Sequence, residues 1–235
     1  MKGAFTPWLA FVLMLVGALA MAALPPALEA IASPGVPLLW WADRAFGLLA
    51  YLALWLSTFF GVLVGSRGAG GLLAPATMTA LHRRWATAAI ATLAVHIVLV
   101  VGDRVSGVSV LGALIPLASG RLTGPVALGT LATWGLLLLI ASSAMPSLPR
   151  WVWRASHATA FGTWVLALVH GLTAGTDASS PVVQAIYLGT GAALVGALVQ
   201  RVLLAMHDKA RPARAERAAR GQANPTDSQP TELTP

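Results

Sequence analysis

Cysteine is absent from all 235 residues, which excludes disulfides, thiolate metal ligands and Cys-ligated iron–sulfur clusters. Charge is scarce too: Asp, Glu, Lys and Arg make up 10% of the chain, where a soluble domain carries about 25%. The centres of the apolar runs contain no Asp or Glu, so a carboxylate-based metal or ion pathway inside them lacks support. No phosphate-binding glycine fingerprint follows a strand, and GTGAALVG from Gly189 lies within an apolar helical run, so the chain has no flavin or nicotinamide site of its own.

Hydrophobic residues are plentiful, at 57% of the chain, and the mean hydropathy is +0.76. That balance describes a chain solvated by lipid. Apolar runs near the ~20 residues needed to cross a bilayer occupy residues 5–31, 45–65, 85–102 extended back to His82, 126–144, 152–172 and 181–206. The uninterrupted stretch 9–24 exceeds the ~7–15-residue apolar region of a signal peptide, which favours a retained helix over a cleaved leader. The fold expected is all-α, a polytopic transmembrane bundle of about six helices over residues 1–206 with its core at 45–200. A partly apolar loop at 106–120 suits the membrane interface. Residues 207–235, rich in Arg, Ala, Pro and Thr, read as a disordered basic and polar tail with a short basic helix at its start.

The net charge of +7 does not point to nucleic acid, because the basic residues sit at helix ends and in the tail. Lys2, Arg67, Arg83, Arg84, Arg150, Arg154, Arg201 and the tail cations fall on one side, against Arg44, Arg104 and Arg121 on the other. The positive-inside rule then puts both termini in the cytoplasm of a multi-pass protein of the inner or plasma membrane, with the third and fifth helices parallel.

Four of the five histidines lie on those two helices: His82 and His96 on the third, His157 and His170 on the fifth. In parallel helices His82 meets His157 at one depth, and His96 meets His170 about 20 Å further along. Intramembrane ionisable groups are costly, and neutral imidazoles facing each other across a helix pair suit axial ligation of a b-type heme. At 100° per residue the step from His82 to His96 returns to within roughly 40°, while that from His157 to His170 misses by roughly 140°. A kink or π-bulge near Gly162 is the expected remedy. Alanines of the third helix, with Ala158, Ala160, Gly162 and Gly171 of the fifth, offer room for a flat macrocycle or serve close helix packing. Arg83, Arg84 and Arg154 are candidates to neutralise heme propionates, and the positive-inside rule explains them equally. Phe161 and Trp164 lie between the two histidine levels as core aromatics. A transporter or metal-binding membrane protein without heme is the competing reading; a structural subunit that merely retains the fold is a third.

The stretches LHRRWATAAIATLAVHIVLVVGDR and WRASHATAFGTWVLALVHGLTAGTD resemble the ferric reductase-like transmembrane domain. This family includes the membrane portions of NADPH oxidases and metalloreductases and the heme-binding subunit of methionine sulfoxide reductase. The resemblance covers roughly residues 45–200. It implies heme b, one or two per chain, with His82 and His157 as inner ligands and His96 and His170 as outer ligands. It also implies that the 13-residue step on the fifth helix is tolerated. An electron donor, either quinol or a cytoplasmic flavoprotein reductase, and an outward-side acceptor are the partners implied. Unlike the oxidases and metalloreductases, this sequence follows its last helix with a short polar tail and no flavin- or nicotinamide-binding domain.

Overall fold

The computed structural model describes residues 38–65 and 74–222. The first apolar run, Lys2 and Arg67 lie outside the described residues, as does the end of the tail. Six helices follow in order: α1 (Leu38–Gly65), α2 (Pro75–Gly102), α3 (Val110–Leu114), α4 (Thr123–Ala144), α5 (Arg150–Ala174) and α6 (Pro181–Gln222). The fold is all-helical, with no strand among the described residues. Proline opens α2 and α6 at the first helical position, where its missing N–H costs nothing. Ser109 caps α3 by accepting a hydrogen bond from Gly112 N. Helix α6 continues unbroken beyond His207 to Gln222.

Among the described residues, four helices are long and apolar enough to cross a membrane: Leu38–Val64, Pro75–Gly102, Thr123–Ala144 and Pro181–His207. By length and composition the chain is a multi-pass membrane protein. Large apolar side chains on the outer faces, such as Val182, Leu188 and Leu203, are more than half exposed, far more apolar surface than a protein in water leaves uncovered. Helix α5 has 25 residues, long enough to span, but its two histidines, Arg150, Arg154 and four Ser/Thr residues lower its hydropathy.

The helices pair as two hairpins. Helix α1 packs along α2, and α4 along α5; α1 then joins the halves by touching both α5 and α6. One apolar cluster gathers Tyr51, Val62, Met78, Trp164, Tyr187 and Leu194 from α1, α2, α5 and α6. A second joins Ala53, Leu54, Ala89, Leu136 and Leu139 from α1, α2 and α4. Tyr51 fixes α6 through a 2.6 Å hydrogen bond with Thr190 Oγ1, and Trp55 Nε1 donates to the Thr190 carbonyl at 2.9 Å. At one end of the bundle Arg44 ion-pairs with Asp177 and lies 4.1 Å above the Trp40 ring. The loop of residues 103–122 is held by Arg121 Nη1 donating to Val105 O at 2.7 Å and Trp134 Nε1 donating to Leu114 O at 3.0 Å.

Candidate functional site

The histidines meet between the hairpins, in two pairs. The His82 and His157 ring centres lie 6.0 Å apart with planes at 67°, and those of His96 and His170 lie 6.3 Å apart at 70°. Because the pairs occur in the same order along both helices, α2 and α5 run parallel. Two metal–nitrogen bonds of about 2.0–2.1 Å, plus ~1.1 Å from nitrogen to ring centre at each end, place imidazole centres about 6.3 Å apart. Both gaps therefore fit one metal atom between two imidazole nitrogens.

The rings are held from behind by helices that the histidine spacing does not name. His82 Nδ1 donates to Ser57 O at 2.8 Å, His96 Nδ1 to Asp43 O at 3.1 Å, and His170 Nδ1 to Pro125 O at 2.8 Å. Four residues beyond each accepting carbonyl stands a glycine: Gly61, Gly47 and Gly129. A Cβ there would approach the ring to 3.2, 3.0 and 2.8 Å respectively. The missing side chain thus opens a notch through which the imidazole reaches a helical carbonyl. With Nδ1 protonated and engaged, Nε2 keeps its lone pair for a ligand, the second-shell arrangement typical of metal-binding histidine.

Ser57 and Asp43 are 14 residues apart on α1, as are Gly61 and Gly47, and as His82 and His96 are on α2. Fourteen residues is two heptads, the repeat on which two packed helices stay in register. Each histidine on α2 therefore meets an equivalent notch on α1.

His157 is different. Counting the α4–α5 register back from Gly129 and His170 reaches Ser142, a buried residue whose hydroxyl donates to Leu139 O at 3.1 Å. His157 has no notch there. Its ring stacks on Trp153 with centres 4.6 Å apart, and its buried Nδ1 has no hydrogen-bond partner among the described residues. The 13-residue step has its consequence in this unequal support. The π-bulge expected near Gly162 does not occur, since α5 is α-helical throughout.

A cavity of about 590 Å³ surrounds the His96–His170 pair, lined by both rings, Gly47, Gly129, Arg44 and Arg121 among others. Its size falls within the ~300–1,000 Å³ usual for cofactor sites. Arg83, Arg84 and Arg154 are exposed near the other pair. Gly162 contacts nothing a Cβ would meet, and the space above Gly171 is filled by the Tyr187 hydroxyl. Gly47 and Gly129 open room beside the rings, and Ala89 and Gly171 of the expected small residues also line the cavity. Trp164 is buried in the α1–α6 cluster. The signal that could have found the supporting residues is the 14-residue repeat of Gly47 and Gly61, which matches that of His82 and His96.

Compared with protein-family models, curated proteins and solved structures, the chain matches none.

Proposed function

We propose that this chain carries electrons across a membrane through bis-histidine b-type heme, one or two per chain, as the heme-binding component of an oxidoreductase of the ferric reductase-like type. The observation that carries this reading is the doubled pair: His82 with His157 and His96 with His170, each gap sized for one metal atom, at depths about 20 Å apart. Heme, when bound, supplies the one-electron chemistry. The chain's own residues do the rest. The four histidines offer Nε2, the carbonyls of Ser57, Asp43 and Pro125 fix the tautomer of three of them, and the apolar helices exclude water. Arg83, Arg84 and Arg154 near the His82–His157 pair are the candidates to neutralise anionic propionates, and Arg44 and Arg121 line the cavity at the other pair, engaged with Asp177 and the Val105 carbonyl.

The full bundle has six spans, counting α5 and the segment 5–31, in the inner or plasma membrane with both termini cytoplasmic; the excess of Lys and Arg on one side supports this. Electrons enter from quinol or a cytoplasmic flavoprotein reductase and leave to an acceptor on the outward side. The reduced-minus-oxidised absorption spectrum of the purified chain, expressed with adequate heme, tests the reading. A b-type α band with a Soret shift is expected, and its absence sinks the proposal. The rival transporter or metal-binding reading has less support, since the centres of the apolar runs carry no Asp or Glu and the sequence has no Cys. Stoichiometric zinc or copper without porphyrin would reverse that preference.

A further inference from the structure

Helix α1 backs both histidines of α2 with one device, and the two copies differ in a single chemical respect. Ser57 faces His82 and Asp43 faces His96 at equivalent positions, each through its backbone carbonyl. Each side chain also reaches the same Nδ1. At His82 it is a neutral hydroxyl, Ser57 Oγ, at 3.2 Å; at His96 it is a carboxylate oxygen, Asp43 Oδ1, at 2.7 Å. The Nδ1–H is directed at the Asp43 carbonyl, so this buried oxygen stands beside it as an ion-pair neighbour, with no hydrogen bond of its own among the described residues. The cations lining the same cavity are turned elsewhere: Arg44 pairs with Asp177, and Arg121 donates to Val105 O. On the other side of the gap, His170 is backed by a neutral carbonyl.

Resting on the heme reading above, we propose that Asp43 lowers the redox potential of the His96–His170 centre, so that the two centres are electronically unequal. A carboxylate against Nδ1–H makes the opposite nitrogen a stronger donor, and its negative charge favours the more positive, oxidised metal. Asp43 acts through His96 and is a positioning residue. The backbone carbonyl of residue 43 still holds the ring when the side chain changes, so charge can be removed while ligand geometry is kept.

The test is a mediated redox titration of the full-length purified protein at fixed pH, comparing wild type with Asp43→Asn, which keeps the shape, and Asp43→Ser, which reproduces the Ser57 arrangement. Both variants should keep the wild-type heme content. One midpoint should rise by at least 59 mV, a tenfold change in relative ferric over ferrous affinity at one electron. The other midpoint should stay in place, and the shifted centre should be the one lost in His96→Ala. Unmoved midpoints overturn the inference, as does heme loss without a shift, or a single-heme wild type whose midpoint ignores both substitutions. A wild-type protein without heme removes the proposed function as well, so the two failures are told apart by the first spectrum.

Discussion

At the scale of the residue, glycine does what no other side chain can at three positions of this site. An alanine in place of glycine inside a helix ordinarily stabilises by about 1 kcal/mol. At Gly129 the sign should reverse, because the new methyl would stand 2.8 Å from the His170 ring, and relieving it must pull the ring from the Pro125 carbonyl. Gly129→Ala should therefore lose the signal of the His96–His170 centre. Gly162→Ala, whose Cβ meets nothing, should keep all heme and gain up to about 1 kcal/mol. Heme content and thermal unfolding in detergent, measured on both, check the contrast. The histidines obey a pairing rule: His82→Ala and His157→Ala should give the same spectral loss, and His96→Ala and His170→Ala the other. Equivalence of His82→Ala with His170→Ala would require abandoning the pairing.

At the scale of the element, the two hairpins show how repeat length governs support. On α2 a 14-residue step brings both histidines to matching notches of α1; on α5 a 13-residue step gives one histidine a notch and leaves the other stacked on Trp153. Which histidines pair was legible in the sequence, because depth along parallel helices needs only position and orientation. What stands behind them was not. Asp43, Gly47, Ser57 and Gly61 matter only through the antiparallel register of α1 against α2, and Gly129 through that of α4 against α5. Arg44 and Arg121 line the cavity for a related reason, brought there by the fold and not by closeness in sequence to the histidines. Gly171, which lines the cavity, also has a packing duty, seating the Tyr187 ring of α6. Gly171→Ala should cost about 1–3 kcal/mol by overpacking, and Tyr187→Phe, which removes the obstructing hydroxyl, should recover part of it in the double variant. Unfolding midpoints of the single and double variants decide this.

At the scale of the whole molecule, the histidines and the groups that hold their rings lie within residues 43–170, and α6 is fixed to α1 through Tyr51, Trp55 and Thr190 while Val183 and Tyr187 line the cavity. The basic end of α6 contributes none of them. A chain ending at Met206 should therefore insert and bind heme as the full chain does, while losing affinity for anionic lipid by about 1 kcal/mol for each basic group near the surface. Heme quantification and vesicle binding on the truncated protein measure the two effects separately. The hairpin arrangement bears on biosynthesis as well. Ring-holding contacts for His82 and His96 lie wholly within α1 and α2, and the one for His170 wholly within α4 and α5, so each half carries its own means of orienting the rings. A chain severed between α2 and α3 should yield fragments that reunite on adding hemin, with the porphyrin serving as the rivet that joins two independently inserted halves.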